Sequence, residues 1–511
     1  MLVDSFGSIA LYGSLAIITG FAIHILSQLV AKSDPKKPPV VFHFVPWLGN
    51  AVVFGMQPIK FLQDCQKKYG DIFTFKMAGM TITACMGADG NQFVFNSKQN
   101  LSSAAAAYNH MTKYVFGSDV VYDAPHNIFM EQKRFIKAAL GADNFRKHVP
   151  MITSECNEFF EKNLSGSTGV VDAHTMFSKL IINTASRCLM GKEIRSNLDD
   201  GPVAKLYYDL DQGFQPINMM FPNLPLPSYK RRDIANQKMT ALYASIIKRR
   251  RDENDNIEQS NSDILQTLME SSYKDGTPLP DEHIAHMMIA VLFGGQHTSA
   301  TTATWTMLEL AARPDIMKEL RQEMIDKLGS LKAELTFDNL KDLTLLEACV
   351  RETLRLHPPI FTMMRKVIAD KLVYEKTGHT IPKDHVLFAA PGVTQVDDKY
   401  FNNPTKYDPY RWIEKTDPVH AMEVGADANE DYGFGAVGIS SKSPFLPFGA
   451  GRHRCIGEQF GYLQLKAVIA TFLTTFDIDY PEGSKGVPEP DYTSMVVIPK
   501  HPCDIRYKRR Q

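Results

Sequence analysis

Phe448-Gly449-Ala450-Gly451-Arg452-His453-Arg454-Cys455-Ile456-Gly457 sets a single cysteine among glycines, with cations on either side of His453. Cationic neighbours favour the thiolate, which is the form that binds metal. The glycines at 449, 451 and 457 permit a close backbone approach to a flat ligand and φ values closed to other residues. No second cysteine lies nearby, so a zinc knuckle and a CxxC redox pair are both excluded. One thiolate in a tight glycine-rich loop suits haem iron. A buried structural cysteine is the alternative reading.

Working outward, Asp281 to Ala312 is the longest helical pattern, bounded by Pro280 and Pro314. At 1.5 Å per residue it is about 48 Å long. Ile284, Met288 and Val291 continue at helical spacing onto Gly295 and Thr298, which places those two on the inward face. Adjacent Gly294 and Gly295 cost roughly 1 kcal/mol each inside a helix. Close packing of a second helix is the favoured reason, and a notch opened for a ligand is the other. In such a notch Thr298 and His297 could pass protons. Glu352 and Arg355 stand one helical turn apart and can pair, an arrangement worth little when exposed.

The chain of 511 residues is 44% hydrophobic and 22% charged, ordinary for a globular protein, and its net charge of −1 offers no case for nucleic acid. The seven cysteines are odd in number and scattered, which is not a disulfide framework. From Ser5 to Ala31 there is no Asp, Glu, Lys or Arg, while Lys32, Lys36 and Lys37 follow. That pattern predicts a membrane anchor with the body on the cytosolic side, although His24 and Gln28 leave an interfacial helix open. Pro35, Pro38, Pro39 and Pro46 then predict a stiff extended spacer.

Phe61 to Tyr69 reads as a helix ending at Gly70, with strands at Ile72–Met77 and Thr81–Met86 around Gly79. Met130 to Met190 and Lys238 to Arg251 read as long helical stretches, and the Lys248–Arg251 charge run as a solvated helix end. Phe214 to Pro227 reads as a loop touching membrane or substrate, or else as a buried connection.

The 448–457 loop, the Gly294-Gly295-Gln296-His297-Thr298 segment, the Glu352/Arg355 pair and Tyr410-Arg411-Trp412 resemble the cytochrome P-450 monooxygenases in order and spacing. Tyr108 through Asp123, His297, His453 and the insert near Tyr432–Ser443 resemble one branch, the fungal sterol (lanosterol/eburicol) 14α-demethylases. The resemblance implies a mainly α fold with a smaller β region, the cytochrome P-450 fold, preceded by one N-terminal transmembrane helix. It divides the chain into an anchor (1–31), a Pro-rich linker (32–45) and a haem-thiolate monooxygenase domain (46–511). By that resemblance Cys455 is the axial ligand of haem b, and Thr298 with His297 activates O2 and delivers protons. Tyr108, Tyr122, Lys133, Arg365 and His453 would bind the haem propionates, and Glu352, Arg355 and Arg411 would form a structural triad. Phe116, Tyr122, Phe221, Gly295, Phe361 and Met495 would line the substrate pocket.

The implied reaction oxidises the sterol 14α-methyl to alcohol and aldehyde, then releases it as formate. NADPH would supply electrons through cytochrome P-450 reductase, with cytochrome b5 as a further donor, at the endoplasmic reticulum membrane. Tyr114, Asp119, Phe361 and the Ala104–Ala107 run depart from the family pattern near the substrate. They leave open a related sterol or triterpenoid as substrate, or a haem- or sterol-binding protein without turnover.

Overall fold

In the computed structural model the described residues are 2–32, 34–198, 202–214, 221, 224–252, 263–423 and 425–510. The chain divides into two compact units, Met1–Ala107 with Thr362–Val393, and Tyr108–Phe361 with Thr394–Gln511.

In the first unit, the helix Pro58–Tyr69 starts on a proline and buries Phe61, Leu62 and Cys65 on one face. It stops where Gly70 takes φ +89°, a value that L side chains avoid. Ile72–Met77 then pairs antiparallel with Met80–Cys85 across a two-residue turn. Ala78 and Gly79 both have positive φ there, the geometry that matches the twist of a hairpin. Five strands form the sheet, completed by Val386–Ala389, Met363–Val367 and Ser102–Ser103. Phe61, Phe73, Phe75, Ile82 and Phe388 make its core.

Residues 2–30 are helical, as the apolar run predicts. Among the described residues, however, no helix is long and apolar enough to cross a membrane. The end of this helix turns polar and engages the same unit. The Gln28 amide donates to the His43 carbonyl at 2.8 Å, and His43 N–H donates to Gln28 Oε1 at 3.1 Å. Nor is the Pro-rich segment a free spacer. Val41 N–H donates to the Thr74 carbonyl and Thr74 N–H to that of Pro39, which ties the segment to the sheet.

The second unit is mainly helical and is built on the helix Asp281–Ala311, 31 residues long, with Asp281 and Glu282 in its first turn. Helices Ala173–Ala185, Pro227–Asp252, Thr344–Leu356 and Glu458–Thr475 pack around it. The stretch expected to be helical from 130 to 190 is interrupted by the strand Thr168–Asp172. Ser165, Gly166, Ser167 and Gly169 are poor helix formers, and Val170 and Val171 suit the pairing with Asp504–Arg509.

The Lys248–Arg251 run is not uniformly solvated. Arg250 is 2% exposed and forms paired bonds with Glu193 and Asp263, all at 2.8–2.9 Å. Arg249 and Arg251 stay at the surface. Position 250 falls on the inward face of its helix, where a single cation between two carboxylates is stable.

Candidate functional site

The cysteine loop is rigid by construction. Gly449 and Gly451 take φ of +69° and +63°. Cys455 N–H donates to the Phe448 carbonyl, and Arg454 N–H to that of Gly451, each at 3.0 Å. The Arg454 side chain donates to the Gly449 carbonyl at 2.7 Å and pairs with Glu458. Lys133, nearly buried, donates to the carbonyls of both Arg452 and Arg454 at 2.9 Å. Its ammonium also lies 3.7 Å from the centre of the Phe434 ring.

Cys455 is exposed, whereas the other six cysteines are buried. Burial of the thiol nonetheless pushes its pKa up. The Gly457 N–H, Lys133 and Arg454 oppose that rise, and Glu458 adds to it. The expected depression of the thiol pKa is therefore not seen. Lys133 and Arg454 are committed to bracing the loop, and desolvation outweighs their field.

The long helix has open space at its adjacent glycines. A Cβ added to Gly294 would meet nothing within 4 Å, and one on Gly295 only Leu189 Cδ1 at 4.0 Å. Close helix packing is thus not the reason for these glycines; the helix is open there. Thr298 Oγ1 donates to the Gly294 carbonyl at 2.9 Å beside this notch. The helix Glu458–Thr475, which the cysteine loop leads into, packs on this long helix.

On another side of the helix, His297 Nε2 lies 3.1 Å from Asp211 Oδ1, with both side chains about one-third exposed. The two line a cavity of about 430 Å³ with Gln296, Asn183, Lys162 and Lys179. Asp211 carries no sequence signal. Nothing in its local pattern places it beside a residue 86 positions away.

Besides Lys133, the predicted cofactor residues Tyr108 and Tyr122 form an aromatic chain that reaches His453 of the cysteine loop. The Tyr108 ring stacks on Tyr122 with centroids 5.0 Å apart, and Tyr122 is 6.1 Å from His453. Phe129 stacks on His453 at 5.8 Å, and His126 lies 6.0 Å from it. Burial, with Arg452 and Lys133 nearby, holds the His126 pKa down. His126 lies seven residues before Lys133 on the helix His126–Ala139, so helical periodicity could have pointed to it. Arg365 belongs to the first unit, where its guanidinium donates to the Met364 carbonyl.

Glu352, Arg355 and Arg411 form one cluster that is entirely buried, unlike the exposed pair considered from spacing alone. Glu352 also accepts from Trp412 Nε1 at 3.0 Å and from Asp408 N–H at 2.9 Å. Arg355 reaches the carbonyls of Gln395, Pro404 and Lys406.

Of the expected pocket residues, Phe116 lies 5.7 Å from Phe214 and 6.2 Å from Phe293. Phe361 meets Tyr492 edge-on at 5.5 Å. The Phe221 carbonyl accepts from the Tyr229 hydroxyl, and Met495 is half-buried. Residues 215–220 and 222–223 of the expected membrane or substrate loop lie outside the described residues. Two departures from the family pattern find local partners. Tyr114 receives the Arg232 guanidinium 4.7 Å from its ring centre. Asp119 takes φ +62°, the left-handed conformation that the usual glycine would serve, and its N–H donates to Asp123.

A family model described as cytochrome P-450 matches residues 38–506, and the chain belongs to that family. It is 70% identical over 500 residues to the lanosterol 14-alpha demethylase of Cunninghamella elegans, covering 98% of this chain and 96% of that protein. It is 43% identical over 498 residues to the eburicol 14-alpha-demethylase of Uncinula necator, covering 97% and 94%. The retinoic acid bound cyanobacterial CYP120A1 shares the fold, with a TM-score of 0.76 at 22% identity over 94% of this chain and all of that one. Haem bound through a cysteine thiolate is the family's prosthetic group. The residues present fit it: an accessible cysteine in a braced loop, and a glycine notch whose Cβ space is empty.

Proposed function

We propose that this chain is a sterol 14α-demethylase acting on lanosterol or eburicol. The observation that carries this reading is the 70% identity, over 98% of the chain, to a lanosterol 14-alpha demethylase. Haem held by Cys455 supplies oxygen activation, with electrons from NADPH through a reductase and with cytochrome b5 as a second donor. Tyr108, Tyr122 and His453 bind the propionates, as phenolic and imidazole donors suit buried carboxylates, while Lys133 braces the loop that carries Cys455. Gly294 and Gly295 keep the helix face clear for substrate. Thr298 presents its hydroxyl beside that space. His297 and Asp211 link the helix to a cavity whose lining includes Lys162, Lys179 and Asn183, and from which protons are drawn. Phe116, Tyr122, Phe221, Gly295, Phe361 and Met495 form the apolar wall that orients the sterol.

The helix Leu2–Val30 attaches residues 46–511 to the endoplasmic reticulum membrane, with residues 32–45 as the connection. Its support is the uncharged run from Ser5 to Ala31 followed by lysines.

Reconstitution with reductase, NADPH and lanosterol or eburicol tests the reading, with formate as the product measured. A thiolate-type carbon monoxide difference spectrum together with formate release is expected. A sound spectrum without formate from either sterol would reject the substrate assignment.

A further inference from the structure

We propose that Asp172, His501 and Cys503 bind one zinc-class divalent cation at a site separate from the haem cysteine. Asp172 ends the strand Thr168–Asp172 and caps the helix Ala173–Ala185, its Oδ1 accepting from Thr175 N–H at 2.7 Å. Its other oxygen, Oδ2, is 2.9 Å from His501 Nδ1 and 3.1 Å from Cys503 Sγ. Sγ and Nδ1 are themselves 3.6 Å apart. A tetrahedral zinc ion with bonds of about 2.0 Å to N or O and about 2.3 Å to S separates its donors by roughly 3.3–3.5 Å. Accommodating the ion therefore needs shifts of only a few tenths of an ångström, roughly within side-chain rotation.

The donors are placed by backbone rather than by chance side-chain contact. Asp504 pairs with Asp172 in the antiparallel ladder, and Ala173 N–H donates to the Cys503 carbonyl at 3.0 Å. The set of one carboxylate, one imidazole and one thiol selects zinc over magnesium or calcium, which prefer oxygen alone. Carboxylate and thiolate together neutralise the dication, the thiol proton leaves to solvent, and water takes the fourth position. His501 is open to solvent while Cys503 is 1% exposed, so the cation enters from the histidine side onto a sulfur floor. A second imidazole, His174, lies with its ring 5.9 Å from that of His501. The bound ion would clamp the C-terminal strand to the helix Ala173–Ala185, which packs along the helix bearing Thr298.

Equilibrium dialysis of the haem-loaded full chain against zinc, followed by elemental analysis for zinc and iron, tests the site. About one zinc per haem is expected, with His501→Ala and Cys503→Ser each weakening uptake by about tenfold or more. Zinc should also raise the thermal midpoint of the parent protein and not that of His501→Ala. His501 is exposed, so its variant reads the site even where Cys503→Ser disturbs folding. Absence of stoichiometric uptake, or uptake equal in parent and His501→Ala, overturns the proposal.

Discussion

Glu352 accepts from Arg355 through both of its carboxylate oxygens, at 2.8 and 2.9 Å, with both side chains wholly buried. Arg411 adds a third bond at 3.2 Å to the same carboxylate. Arg355 has this carboxylate as its anionic partner, and Arg411 is shared between it and the buried Asp417. Glu352→Gln keeps the shape and removes the charge. Breaking such a buried cluster costs about 3–5 kcal/mol, a large part of a domain's stability. Little haem-loaded protein should be recovered, and its thermal midpoint should fall well below that of the parent. Parental yield and midpoint would show that the cluster is dispensable.

Lys133 braces the cysteine loop through two carbonyls. Lys133→Met preserves the stem and leaves both carbonyls without their cationic donor, at about 1–3 kcal/mol. The expected outcome is a protein that binds haem but loses the red-shifted carbon monoxide band faster on mild heating. The decay of that band against time compares the two proteins. Equal decay would remove Lys133 from the loop's support.

Thr298 and Asp211 should separate oxygen use from product. Thr298→Ala should retain the haem spectrum yet lower formate released per NADPH consumed, by about tenfold or more. Asp211→Asn removes the anion 3.1 Å from His297 and should slow turnover with the same retained spectrum. Measuring NADPH, oxygen and formate together decides both. Unchanged coupling in Thr298→Ala removes that hydroxyl from the mechanism.

What could be read from sequence was local. The helix ending at Gly70, the hairpin around Gly79 and the loop at Cys455 are each specified by residues within a few positions of one another. What could not be read depends on which face of an element meets which partner. Arg250 sits in a run of cations that looks solvated, and burial sets it apart from Arg249 and Arg251. The open surroundings of Gly294, the pairing of His297 with Asp211, and the meeting of Asp172 with Cys503 arise from tertiary packing. Composition predicts the strand Thr168–Asp172 only once its partner near the C-terminus is known.

A pH dependence of stability follows from His148. Its ring is 3% exposed, packed near Phe145 and edge-on to Phe460, and burial lowers its pKa from 6.5 to about 4. Asp263 opposes that shift and Lys147 reinforces it. The folded protein therefore holds the histidine neutral while the unfolded chain takes up a proton below 6.5. Stability is complete above pH 6.5 and is lost as pH falls from there toward 4. Between pH 7.5 and 5 this one group accounts for up to about 2 kcal/mol. His148→Gln cannot titrate, so its urea midpoint should decline less over that interval than the parent's. Parallel decline in the two proteins would assign the acid sensitivity elsewhere, with His385, also lowered to about 4 by burial, as the next residue to replace.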